Sequence, residues 1–178
     1  NKIYKYIVAQ KESIYSSVSA TIAAEKQAKA DADERAKIVK ELPYSYFEGL
    51  LSKNETEIFV IKLCALFDAL LKFDHKMEGA DFHERMKNYF DNGPKSRDCD
   101  DGWGYMVLDT EYEESTVKPW NAKRELLNRL RIQRNNIAHS EANPVKELTK
   151  AELAECLQFV FKANKDYVKN DDYEEDDD

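Results

Sequence analysis

Late in the chain, Arg134-Asn135-Asn136-Ile137-Ala138-His139 brings a permanent cation, two polar amides and a titratable imidazole within six residues. A guanidinium holds a phosphate through two parallel hydrogen bonds and stabilises the charge that grows on it in a transition state. An imidazole can take the proton of a ribose 2′-hydroxyl or give one to a leaving oxygen. A side-chain amide can orient either group. The chemistry these residues suggest together is phosphodiester cleavage. On an ideal helix a separation of five residues turns His139 about 140° away from Arg134. Asn135 and Asn136 are weak helix formers, so a local distortion is expected to close that gap. One such His per chain is too few for separate acid and base roles, and two copies meeting across a symmetric dimer would supply both.

Arg134 lies seven residues after Leu127, on nearly the same helix face. It therefore points toward a packed surface and needs a partner: a carboxylate, a phosphate or a polar subunit interface. Asp68 sits among apolar neighbours, where an unpaired carboxylate is costly. It is expected to pair with Arg134 or to help line the site, the alternative being a narrow polar stripe shared with Lys72. Residues 119–139 carry Lys123, Arg124, Arg129, Arg131 and Arg134 against Glu125 alone, a net +4. Lys123, Arg124 and Arg131 are candidates for guiding RNA, and Asn136 for supporting the site. The plainer alternative is a solvated helix face.

These side chains need elements to hold them. The chain has 178 residues, enough for one domain with an extension, and its hydrophobic fraction of 42% excludes a wholly disordered chain. Five Gly and four Pro argue for long helices over sandwiches and barrels, which need many turns. Residues 1–42 contain neither Gly nor Pro, and are rich in Ala, Glu, Lys, Gln and Arg, the strong helix formers. Ile14, Val18 and Ile22 give that helix a thin apolar stripe, suited to a first bundle helix or to an arm from a neighbouring domain. Pro43 stops it. After the short segment Tyr44–Leu51, Asn54-Glu-Thr-Glu57 has the form of a helix-opening capping box. The helix it opens, to about Met77, is apolar around most of its circumference and should be the most buried element. Asp81-Phe-His-Glu84 opens a helix through about Phe90, and Pro119 one from Trp120. Thr149-Lys-Ala-Glu152 opens the last, with Leu153, Leu157, Val160, Phe161 and Val168 inward. Between them, residues 91–118 hold three glycines and eight acids against three bases, and read as a long loop with a short strand or turn at Tyr105–Leu108. The fold class is all-α, a bundle of about five helices.

The segment RNNIAHS, late in an all-α chain and followed by a capped helix, resembles the HEPN superfamily. Its motif is Arg, a polar residue that is often Asn, three further residues, then His, and Arg134, Asn135 and His139 occupy those places. The resemblance covers residues 43–170, with 1–42 as first helix or linker and 171–178 as an acidic disordered tail. It implies a metal-independent endoribonuclease acting as a homodimer on single-stranded RNA. The 2′-hydroxyl attacks the adjacent phosphate and leaves a 2′,3′-cyclic phosphate and a 5′-hydroxyl. Arg134 would bind the phosphate, His139 transfer protons and Asn135 orient them. Such members serve as toxins, in abortive infection and as ancillary CRISPR ribonucleases. Some carry a Tyr two residues after the His, which a partner antitoxin modifies; here that position is Glu141. Other members of the superfamily are not active, so a helical RNA- or nucleotide-binding or protein-interaction module is the alternative.

Three widely spaced cysteines, Cys64, Cys99 and Cys156, read as free thiols in a reducing compartment. The longest apolar stretch, Ile58–Phe73, is too short and too charged to span a bilayer, and the expectation is a soluble, cytoplasmic protein. The start at Asn1 rather than Met suggests a further domain on the N-terminal side. His75 and His83, with Asp74, Asp81 and Glu84, match no dedicated metal site, and no metal or cofactor is expected. Trp103, Tyr105 and Trp120 could stack on bases, with core-edge packing as the alternative. The net charge of −8 is mostly terminal: Asp166–Asp178 carries −7, leaving −1 for the rest. The tail is expected to compete with RNA for the basic helix.

Overall fold

The computed structural model describes residues 2–139 and 143–165. Val168, Glu141 and the acidic tail lie outside the described residues. The chain divides into two units, Asn1–Lys40 and Glu41–Asp178.

The first unit is almost wholly α1 (Lys2–Glu41), as its composition predicts. None of its residues is buried, and Ile7, Ile14, Val18 and Ile22 are all exposed.

In the second unit, α2 (Tyr44–Ser52), α3 (Thr56–Phe73), α4 (Phe82–Asp91), α6 (Lys118–His139) and α7 (Lys150–Ala163) make an all-α bundle. The central helix is α3, which packs against α2, α4, α6 and α7. Its Phe59, Val60, Leu63, Phe67, Leu70 and Leu71 are fully buried. Burying one such side chain contributes roughly 1.5–3 kcal/mol, so α3 anchors the fold.

The caps differ in instructive ways. Thr149 accepts from the Glu152 N–H while Glu152 reaches back to the Thr149 N–H, the full capping box that the sequence predicts for α7. Asp81 accepts from the Glu84 N–H at 2.9 Å and opens α4, but the Glu84 carboxylate turns to the Ala80 N–H. Asn54 does not cap α3. It takes a left-handed conformation, φ 59°, just past the end of α2. There the Glu55 N–H reaches the Leu50 carbonyl and the Asn54 N–H reaches the Leu51 carbonyl. This is the termination that closes a helix with an αL residue, and Asn tolerates it. The pattern Asn-x-x-Glu thus ends one helix instead of starting the next.

The expected loop at 91–118 is partly ordered. Strands β1 (Asp98–Asp100) and β2 (Met106–Leu108) pair antiparallel as an exposed hairpin. A short helix α5 (Thr110–Tyr112), capped by Asp109, runs through a π-helical turn (Glu113–Val117) directly into α6. Pro119 therefore lies inside a continuous helix rather than opening one, and the wider π turn sits where the proline withholds an N–H. Trp120 packs among Tyr89, Phe90 and Phe159 and donates to the Phe90 carbonyl at 3.1 Å, whereas Trp103 and Tyr105 on the hairpin are exposed.

Among the described residues, no helix is long and apolar enough to cross a membrane.

Candidate active site

Helix α6 presents Leu126, Leu127 and Leu130 to the core. One turn beyond Leu130 the same face carries Arg134, at the edge of the packed region and half-buried. The helix stays regular through His139, so Asn135 and Asn136 cause no distortion. None is needed, because a cavity beside the helix receives both ends of the motif. Arg131, Arg134, Asn135 and His139 all line one cavity of about 500 Å³. Its other walls come from Asp68 on α3 and from Asp81, Phe82, His83 and Arg85 at the start of α4. That size lies within the ~300–1,000 Å³ of small-ligand sites.

Asp68 lines the cavity but does not pair with Arg134. Its carboxylate accepts from Arg85 Nε at 2.7 Å and from Arg85 Nη2 at 3.0 Å. Arg85 Nη1 donates to the Gly79 carbonyl at 2.6 Å, which locks the fork in place. Packing of α4 on α3 delivers Arg85 in bidentate alignment, and this geometry outcompetes Arg134 for the carboxylate. The bond to Asp68 raises the Arg85 pKa above its usual value.

Arg134 Nη1 donates to Asn135 Oδ1 at 3.0 Å, and Arg131 donates from Nε and Nη2 to Asn128 Oδ1 at 3.1 and 3.0 Å. Neither guanidinium has a carboxylate partner among the described residues. Two cations bonded to neutral amides thus line this cavity, together with the carboxylates of Asp68 and Asp81. The neutral amides also orient the guanidinium planes without cancelling their charge.

The rest of the basic helix is spent internally. Lys123 pairs with Glu155, Arg124 with Asp91 at 2.9 Å, and Arg129 with Glu152 at 2.7 Å. Lys123 and Arg124, expected to guide RNA, are thus largely neutralised by α7 and α4. Arg124 still lines a second cavity beside the first. Arg129 also donates to the Lys146 and Glu147 carbonyls, holding the segment before α7. The Arg129 bond to Glu152, together with the Thr149 cap, pulls the pKa of the Glu152 carboxyl down to about 2. Asn136 serves the backbone rather than the cavity: its amide donates to the Asn143 carbonyl at 3.0 Å and accepts from the Asn143 N–H at 3.3 Å.

The thiols offer no nucleophile to this site. Burial pushes the Cys64 thiol well up and that of Cys156 to about 12, and Cys99 lies on the exposed hairpin. His75 Nε2 donates to the Ala163 carbonyl at 2.7 Å. Among the described residues no group of three His, Cys, Asp or Glu side chains is placed to hold a metal ion.

In the sequence, His83 stands out only among the residues of a possible metal cluster. The structure sets it in the cavity with His139, 56 positions away in the chain. The capping pattern at Asp81 places His83 in the first turn of α4, but only the packing of α4 against α6 brings the two imidazoles to one cavity. No family model, curated protein or solved structure matches this chain.

Proposed function

We propose that this chain is a metal-independent endoribonuclease acting on single-stranded RNA. The observation that carries the reading is the shared cavity of Arg131, Arg134, Asn135 and His139, with two guanidiniums that no described carboxylate neutralises. Arg131 and Arg134 hold the non-bridging oxygens of the scissile phosphate and stabilise the charge that develops there. Asn135 orients Arg134, and His139 transfers a proton. The 2′-oxygen bonds to phosphorus, the bond to the 5′-oxygen breaks, and the products are a 2′,3′-cyclic phosphate and a 5′-hydroxyl. The HEPN resemblance of RNNIAHS supports the same chemistry and adds a homodimer, a role in defence or toxin-type RNA degradation and a cytoplasmic setting, where free thiols persist.

The test is incubation with single-stranded RNA in excess EDTA, beside His139→Ala and Arg134→Ala. Cleavage by the wild type, with losses of about 100-fold or more in each variant, supports the reading. Wild-type activity in His139→Ala overturns its role. Gel filtration reads the dimer.

A second reading rests on the ion pairs of Lys123, Arg124 and Arg129. A basic helix whose charges bind its own neighbours is what a non-catalytic interaction module would use. A folded wild-type chain that binds RNA without cleaving it favours that module.

A further inference from the structure

Displacement at phosphorus places the entering 2′-oxygen and the leaving 5′-oxygen roughly in line, so the proton acceptor and the proton donor must reach the phosphate from different sides. His139 ends α6 and His83 lies in the first turn of α4, and both line the cavity that holds Arg131 and Arg134. The two helices pack against each other, so their relative placement is set by the bundle itself. Neither imidazole forms a hydrogen bond among the described residues, which leaves both rings available to a substrate. His83 has a further property. It also lines the adjoining cavity of about 480 Å³, floored by the buried Met86 and Phe90 and flanked by Asn121 and Asn128. It therefore stands where two cavities meet. A strand with one nucleoside in each would present its linking phosphodiester at His83.

Resting on the ribonuclease reading, we propose that His83 and His139 of a single chain form the proton-transfer pair of the cleavage, with His83 as a further catalytic residue. One imidazole takes the 2′-hydroxyl proton as that oxygen bonds to phosphorus. The other, as an imidazolium, gives its proton to the 5′-oxygen as the P–O5′ bond breaks. Arg131 and Arg134 keep the non-bridging oxygens between them. Both imidazoles belong to one chain, so each protomer of the homodimer would carry its own pair.

The experiment uses the full chain and two single-stranded RNA substrates, one natural and one with sulfur in place of the bridging 5′-oxygen at a single linkage. A thiolate leaves without a proton, so the sulfur substrate needs no general acid. His83→Ala and His83→Gln should each lower cleavage of the natural RNA by about 100-fold or more, as His139→Ala does. Because His83 is exposed, its thermal melting should be unchanged. The sulfur substrate should restore cleavage in one of the two His→Ala variants and not in the other. Co-expressed His83→Ala and His139→Ala chains should stay as inactive as either alone. The pair is overturned if His83→Ala cleaves at the wild-type rate, if the sulfur substrate restores neither variant or both, or if co-expression restores activity. Absence of cleavage by the wild type overturns the ribonuclease reading and the pair with it. Wild-type cleavage that survives loss of His83 overturns the pair alone.

Discussion

Arg85 grips Asp68 with two nitrogens, Nε at 2.7 Å from Oδ1 and Nη2 at 3.0 Å from Oδ2. This one pairing decides the electrostatics of the candidate site. Asp68 is the carboxylate from the central helix that lines the cavity, and with Arg85 engaging both its oxygens, Arg134 bonds instead to the neutral amide of Asn135. The pair also ties α4 to α3. Asp68→Ala leaves the mostly buried Arg85 guanidinium without its bidentate partner and should cost about 2 kcal/mol, within the ~1.5–3 kcal/mol of hydrogen bonds to charged groups. Urea denaturation measures it, and an unchanged midpoint contradicts it.

Arg131 and Arg134, which have no carboxylate partner among the described residues, should separate from the paired cations in their salt response. Each phosphate contact on a single strand contributes about 0.7 to the slope of log affinity against log salt. Arg131→Ala should weaken single-stranded RNA binding and lower that slope by about 0.7. Lys123→Ala, which removes a cation already matched by Glu155, should leave the slope where it was. Fluorescence anisotropy across a salt series reads both.

Glu152 links two parts of the bundle, since it accepts from Arg129 and completes the cap of α7. Its folded pKa is depressed from an ordinary 4.5 to about 2. The unfolded chain therefore binds the proton first on acidification. The stabilisation is fully present above pH 4.5 and is lost as pH falls toward 2. Wild type should be more stable than Glu152→Gln at pH 6, with the gap narrowing through that window. A gap that is constant from pH 6 to pH 2 would falsify the assignment.

The thiols should react in two classes. Cys64 and Cys156 are buried and their thiols are held protonated, while Cys99 is exposed. Native protein should take up iodoacetamide at Cys99 alone, and all three cysteines should label in guanidinium. Rapid labelling of Cys64 in the native state would contradict the packing of α3 against α6.

The legible part of this chain was what residues within four positions of one another decide. Helix formers without Gly or Pro specify α1, apolar positions around most of the circumference mark α3 as the centre, and Thr149 with Glu152 starts α7 at the right residue. Such effects are local, because a helical hydrogen bond or a cap closes within one turn. Even here two local signals competed at Asn54, which takes the left-handed conformation that ends α2 and does not cap α3. Partner choice was not legible. Arg134 and Asp68 looked like a pair because each was a polar group on a packed face, but any opposite charge brought within reach satisfies that need. Which one arrives depends on how helices pack, and Arg85 reached Asp68 from α4. The same holds for Lys123 with Glu155, and for His83 with His139 in one cavity. By itself the sequence determined α1, the central α3 and the start of α7, and named Arg134, Asn135 and His139. Only the tertiary structure decided which charges stay unpaired, because neutralisation and cavity formation are properties of the packed whole rather than of any segment.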